Sequence, residues 1–171
     1  LDGLVGNFLR FARSDRAARV QVDLGALLRE TAALVERDAV RRGIEVRVSA
    51  PEGLPALLAD AEGLRSSVLN LVLNSFEAMP AGGSLDLAVG PAAGELVLEV
   101  ADTGQGIAPP DQEKVFDFAY TTRDDGHGLG LAMVHQVVVE DHGGRVTLES
   151  QPGQGTRVRM HLPLPRAGAE A

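Results

Sequence analysis

The sequence predicts an α/β two-layer sandwich, a mixed sheet covered on one face by helices. Two observations carry that expectation. Helical and strand-like segments interleave along the chain, and several of the strands alternate apolar and polar residues as half-buried strands do. A third sets the scale: 171 residues with 44% hydrophobic content are enough for one domain with its own core.

The elements follow in order. Residues 1–14 place Leu1, Leu4, Val5, Phe8, Leu9 and Phe11 at helical spacing, ahead of a polar break at Arg13-Ser14-Asp15-Arg16. Residues 15–22 read as a linker and a first strand, Val20-Gln21-Val22. Asp23 is a good N-cap for a helix to about Arg42, which Gly43 ends. Ile44-Glu45-Val46-Arg47-Val48 alternates strictly, a turn spans 51–55, and residues 56–59 form a short strand. Asp60 caps a helix to about Met79, which Pro80 and Gly82-Gly83 stop. Strands over 84–89 and 95–101 flank a turn at 90–94. A helix over 129–142 ends at Gly143-Gly144, and strands over 145–149 and 156–162 close the fold as a hairpin. The domain spans residues 23–163, and residues 164–171 are a loose tail.

Composition removes several function classes. A net charge of −8, no Trp and one Tyr argue against nucleic acid, whose binding needs basic residues beside aromatic platforms. A polyanion must then be held by backbone N–H groups, a helix N-terminus and a divalent cation. The absence of cysteine excludes disulfides and thiolate metal sites and is compatible with a cytoplasmic setting. No apolar run approaches a membrane span, and the start at Leu1 carries no secretion signal and reads as a piece of something longer.

Four groups of residues could carry chemistry. Asn70 and Asn74 lie four apart, so both project from one helix face near Ser66, Ser67 and Glu77. An amide oxygen can ligate Mg²⁺ and an amide N–H₂ can donate to phosphate; a solvent-facing stripe is the plainer reading of that pair alone. Asp102 follows an apolar strand, so its carboxylate would sit in largely dry surroundings. There it can accept from the amino group of adenine and reject the carbonyl of guanine. Gly104 and Gly106 remove side chains where a base and its backbone neighbours approach closely. Nineteen residues separate Gly106 from Gly126, holding three of the six aromatics and little regular pattern, which suits a lid. Gly126, Gly128 and Gly130 precede a helix, where free N–H groups meet phosphate oxygens, and Arg123 could counter a terminal phosphate. His127, His135, His142 and His161 lack metal-ligand spacing and read as non-catalytic.

With these residues in view, the chain resembles the catalytic and ATP-binding domain of a two-component sensor histidine kinase, in the wider family of gyrase B, Hsp90 and MutL with its Bergerat-type ATP-binding fold. Residues 70–78 resemble the asparagine box and residues 102–106 the first glycine box. Residues 115–123 resemble the phenylalanine box, and Gly126-His127-Gly128-Leu129-Gly130-Leu131 the second glycine box. The resemblance implies that ATP and Mg²⁺ bind, with Asn74 as metal ligand, Asn70 on metal or phosphate, and both asparagines catalytic. It implies that Asp102 binds the adenine amine, that Thr156 supports it through water, and that Gly128, Leu129 and Gly130 line the nucleotide. Ser75 stands where Ala is usual and is expected not to matter. His127 stands where Thr or Ser is common, and Ala119 replaces an aromatic.

Family kinases phosphorylate a histidine that a carboxylate follows, on a dimeric helical hairpin, and none of the four histidines here is followed by Asp or Glu. Residues 1–14 resemble the end of that hairpin's second helix. The expectation is a domain that binds ATP without phosphorylating itself. Its partners would be the hairpin of a homodimeric kinase and a response regulator receiver domain. An ATP hydrolase, a non-catalytic ATP-sensing module and an anti-sigma-factor type of serine kinase are the rivals. Hydrolysis needs a general base, which in gyrase B and Hsp90 is a Glu at the place of Asn70; an amide cannot accept that proton, and Glu77 lies roughly two turns further along.

Overall fold

The structure, a computed structural model, describes residues 18–117 and 130–165. Strand β1 (Val20–Val22) leads into helix α1 (Leu24–Arg42). The Asp23 carboxylate accepts the Ala26 N–H at 2.9 Å, and Gly43 closes the helix, as the sequence predicts. Strands β2 (Ile44–Ser49) and β3 (Leu57–Ala59) follow. Asp60 then accepts the N–H groups of Glu62 and Gly63 at 3.1 and 3.0 Å and so starts α2 (Ala61–Ala78). Strands β4 (Gly83–Ala92) and β5 (Glu95–Asp102) form a hairpin, followed by the single turn α3 (Pro109–Gln112). Helix α4 (Gly130–His135) passes directly into a π-helical segment, Gln136–Asp141, before the closing hairpin of β6 (Arg145–Gln151) and β7 (Gly155–Pro163).

Five strands make a mixed sheet in the order β2-β4-β5-β7-β6, with β2 parallel to β4 and the remaining pairs antiparallel. β1 and β3 pair only with each other, so the single sheet expected from the sequence becomes a sheet plus a separate two-stranded ribbon. A three-residue strand carries no local sign of which partner it will take. The turn between β4 and β5 also shortens. β4 runs on to Ala92, and only Ala93 and Gly94 turn, with φ of 24° and 86°, where a five-residue turn was expected. Two positive φ values give a turn whose twist matches that of the strands it joins.

The expected single α-helix over 129–142 is corrected as well: beyond His135 the ladder widens to π geometry. Val137, Val138 and Val139 crowd a helix through their β-branches, and the His142 side chain accounts for one carbonyl there. Its Nδ1 lies 2.6 Å from the Val137 carbonyl oxygen while its Nε2 accepts the Asp60 N–H at 3.0 Å. Together those bonds require the neutral Nδ1–H tautomer. They tie the end of the π segment to the N-cap of α2.

Period-2 alternation sorts the sheet. Leu85, Leu87 and Val89 of β4, Leu96, Leu98 and Val100 of β5, and Val158, Met160 and Leu162 of β7 are buried. They share one core with Leu28, Leu64, Val68, Phe76, Val134 and Val138 of the helical layer. One covered face is therefore what the sequence predicts and what forms. The opposite face carries Glu95, Glu99, Arg145, Arg157, Arg159 and His161. Arg159 bridges Glu99 at 2.6 Å and Glu149 at 2.5 Å. The hydrogen bond from Arg145, ahead of smaller contributions from His161, holds the Glu95 carboxyl below the usual carboxylate range, and Glu149 with Glu99 raises Arg159. These partly exposed pairs contribute little to stability.

The tightest backbone approach in the fold is at Gly155, where φ is +90° and a Cβ would lie 1.9 Å from the Asp102 carbonyl oxygen. Gly153, two residues earlier at φ +78°, has nothing within 4 Å of that position. Gly153→Ala should therefore cost about 1 kcal/mol, the strain of a left-handed alanine. Gly155→Ala must also separate two strands, and its cost should reach about 3 kcal/mol or more. Chemical-denaturation midpoints of the two variants measure the difference, and equal shifts would contradict the close approach.

Candidate functional site

The buried face of α2 is set by Leu64, Val68, Leu71, Val72 and Phe76, spaced by threes and fours. Asn70 and Asn74 flank that stripe, both half-buried, whereas Leu73 and Glu77 are exposed and Ser67 is buried with its hydroxyl donating to the Gly63 carbonyl at 2.9 Å. Of the residues expected beside the asparagines, Ser67 thus belongs to the core side. Gly130, the first residue of α4, lies over the pair. A Cβ there would meet Asn74 Nδ2 at 3.7 Å and the Cβ and Cγ of Asn70 at 3.8 Å. Glycine leaves both amides uncovered at the point where the second glycine cluster enters its helix.

Asp102 is the last residue of β5 and has the parity of Leu96, Leu98 and Val100, so it falls on the helix-covered face. It pairs with Leu85 on β4 and Thr156 on β7, and Thr156 pairs in turn with Ser150 on β6. One row across the sheet therefore reads Leu85, Asp102, Thr156, Ser150. Asp102 is half-buried, less dry than the sequence suggests, because it stands at the end of its strand, beside the buried Leu85 on one side and the partly exposed Thr156 on the other. Its Oδ1 accepts the Gly104 N–H at 2.9 Å and the Thr156 N–H at 3.2 Å, and its Oδ2 accepts the Ser75 hydroxyl at 2.9 Å. Thr156 thus supports Asp102 through its backbone.

The two nearby glycines are fixed by neighbouring backbone. A Cβ on Gly104 would lie 2.6 Å from the Ala78 carbonyl oxygen in the last turn of α2, and one on Gly106 2.0 Å from the Gln151 carbonyl oxygen. The first glycine cluster is accordingly the seam between α2, β5 and the β6–β7 turn. The Gln105 N–H donates to the Ala78 carbonyl at 3.0 Å, and the Gly153 N–H to the Gln105 carbonyl at 2.7 Å.

Sequence reading missed Ser150. Its hydroxyl takes the Ile107 N–H at 2.8 Å, lies 2.9 Å from Thr156 Oγ1, and donates to the Gly155 carbonyl at 2.9 Å. The Gln112 side-chain amide adds bonds to the carbonyls of Ile107 and Ser150 at 2.8 and 3.0 Å. The segment leaving the first glycine cluster is thereby pinned to β6. The one available signal was register, since Ser150 sits opposite Thr156 only once the hairpin's turn length is known. Phe116 of the expected phenylalanine box stacks at a tilt against His135, with ring centroids 6.2 Å apart. Arg123, Gly126, His127, Gly128 and Leu129, like Ala119, lie outside the described residues.

Residues 59–166 match the family model described as histidine kinase-, DNA gyrase B-, and HSP90-like ATPase. The sensor histidine kinase ZraS of Escherichia coli (strain K12) is 34% identical over 164 residues, which is 96% of this chain and 35% of ZraS. The chain therefore spans about a third of the length of such relatives. Among solved structures, full-length ShkA in complex with AMPPNP superposes with a TM-score of 0.86 at 34% identity, covering 98% of this chain and 36% of ShkA. The mycobacterial sensor histidine kinase MprB superposes with a TM-score of 0.72 at 30% identity, covering 85% of this chain and 97% of that structure. The chain belongs to the histidine kinase-, DNA gyrase B- and HSP90-like ATPase family, as a catalytic ATP-binding domain of the sensor histidine kinase type.

Proposed function

We propose that the chain binds ATP with Mg²⁺ and, within a longer sensor histidine kinase, directs the γ-phosphate to a histidine on a helical hairpin, for onward transfer to a response regulator receiver domain. The observation that carries this reading is that one helix serves two sites of opposite chemistry. Near its middle α2 presents the paired amides of Asn70 and Asn74 under Gly130, and near its end it holds the Asp102 carboxylate through Ser75. ShkA, solved with AMPPNP, and a histidine kinase solved with its response regulator, ThkA with TrrA, are relatives in fold that support the nucleotide and the partner.

The roles follow from donor chemistry. Asp102 has an acceptor left on Oδ2 for the amino group of adenine, and Thr156 holds Oδ1 in place. Gly104 and Gly106 keep side chains away from the base. Asn74 would ligate Mg²⁺ through its amide oxygen, and Asn70 would reach the metal or a phosphate. The cation's contribution when bound is to neutralise phosphate charge. Backbone N–H groups at the start of α4, from Gly130 on, would donate to phosphate oxygens. Arg123, Gly126, Gly128 and Leu129 take their phosphate and nucleotide roles from the family pattern. An amide at position 70 cannot take a proton from water, so that position does not supply the base that hydrolysis needs. What remains is positioning and electrostatics, which suffice when the nucleophile is an imidazole brought by another element. Residues 1–14 would be the end of the hairpin that brings it, and the full kinase a homodimer.

ATP affinity should depend on Mg²⁺ and fall by roughly 10- to 100-fold in Asn74→Ala, which removes a metal ligand, and in Asp102→Ala, which removes a charged hydrogen-bonding partner. Calorimetric titration measures it, and unchanged affinity in both variants would reject the site. Incubated with ATP and the acceptor hairpin of its own kinase, the chain should place acid-labile, base-stable phosphate on the hairpin. Steady ATP hydrolysis by purified chain without a hairpin would favour the hydrolase reading, and binding without any transfer would favour a sensing module.

A further inference from the structure

We infer that Ser75 sharpens base specificity: its hydroxyl locks the Asp102 carboxylate so that one acceptor position is left for a purine amino group. This rests on the reading of Asp102 as the adenine partner. It departs from the expectation that serine in place of alanine at this position does not matter.

Three polar side chains are buried among the described residues, Thr31, Ser67 and Ser75, at 2%, 1% and 5% exposure. Hydroxyls inside helices ordinarily bond back to the carbonyl four residues earlier. Two of the three do so: Thr31 donates to Leu27 at 2.8 Å and Ser67 to Gly63 at 2.9 Å. Ser75 donates instead to Oδ2 of Asp102 at 2.9 Å, across to the end of β5. A hydroxyl bonding to an ionised carboxylate gains more than one bonding to a helix carbonyl, so its single proton is committed to Asp102.

The carboxylate can then be counted out. An ionised carboxylate offers about four acceptor positions. Oδ1 receives the Gly104 and Thr156 N–H groups, and Oδ2 receives Ser75, which leaves one position on Oδ2. The three donors come from α2, from the loop after β5 and from β7, so the carboxyl plane cannot turn without breaking a bond. A fixed, single acceptor suits an amino group at C6 of a purine and opposes a carbonyl there, which would face it oxygen to oxygen. With Ser75 replaced by alanine, a water could fill the hydroxyl's place. Water is free to donate to Oδ2 and to a C6 carbonyl together, and discrimination falls.

The test measures affinities of the 171-residue chain for ATP and for inosine triphosphate, which carries a carbonyl at C6, in the presence of Mg²⁺. The ATP preference should drop roughly 3- to 10-fold in Ser75→Ala and stay at the wild-type ratio in Ser67→Ala, a control on the same buried face. Ser75→Cys, close in volume but a weak donor, should behave as Ser75→Ala does. A wild-type ratio in Ser75→Ala and Ser75→Cys, with the ratio collapsed in Asp102→Ala, overturns the role of Ser75 and leaves Asp102 standing. Equal losses for both nucleotides in Ser75→Ala also overturn it, because a merely structural serine would act that way. No preference in the wild-type chain, or an unchanged ratio in Asp102→Ala, overturns the adenine reading itself.

Discussion

The Asp102 carboxylate is the joint at which helical layer and sheet meet the site. Its three donors, Ser75, the Gly104 N–H and the Thr156 N–H, belong to three segments far apart in the chain. Hydrogen bonds to an ionised acceptor are stronger than neutral ones, so the end of β5 is held to α2 and to β7 at once. Backbone must come close to allow this. Gly104 lies against the last turn of α2, and Gly155 against the Asp102 carbonyl, at distances where no side chain fits. The glycines around Asp102 are therefore part of how the carboxylate is presented.

Helix α2 extends that control along its length. Its apolar stripe fixes its rotation on the sheet, and with the rotation fixed, Asn70 and Asn74 must fall at the margin of the core and Ser75 within it. The helix start is fixed as firmly. The Asp60 side chain caps the first turn while its own N–H is bound by His142 from the end of the π segment. α4 and α2 are thus linked at one end by His142, and Gly130 meets the asparagines further along. The placement of the paired amides depends on both contacts.

Much of this was legible because its causes are local. Asp23 and Asp60 at helix starts, Gly43 at a helix end and the alternation in Ile44–Ser49 each act within a few residues. Asn70, Asn74, Asp102 and Gly104 stood out for their chemistry and spacing. What escaped depends on pairing across the fold. The separation of β1 and β3 into their own ribbon, the hub at Ser150 and the outward bond of Ser75 need a register or a helix rotation that no short window contains. The π segment escaped for a related reason: three valines lower helix propensity only slightly, and the His142 bond to Val137 is visible only when the turn has closed.

The same geometry bears on what the domain does with a phosphate. In the proposed site the carboxylate of Asp102 serves the base and amides serve the phosphate end, so the ionisable group stands away from where water would have to be activated. Asp102 is occupied three times over by donors, and its remaining acceptor points to base recognition. Asn70 offers no proton acceptor of useful basicity. In the proposed reaction transfer waits on an imidazole from outside the domain. Under that proposal restraint of hydrolysis follows from residue choice at position 70, and the specificity of transfer from which element can bring an imidazole to the paired amides of Asn70 and Asn74.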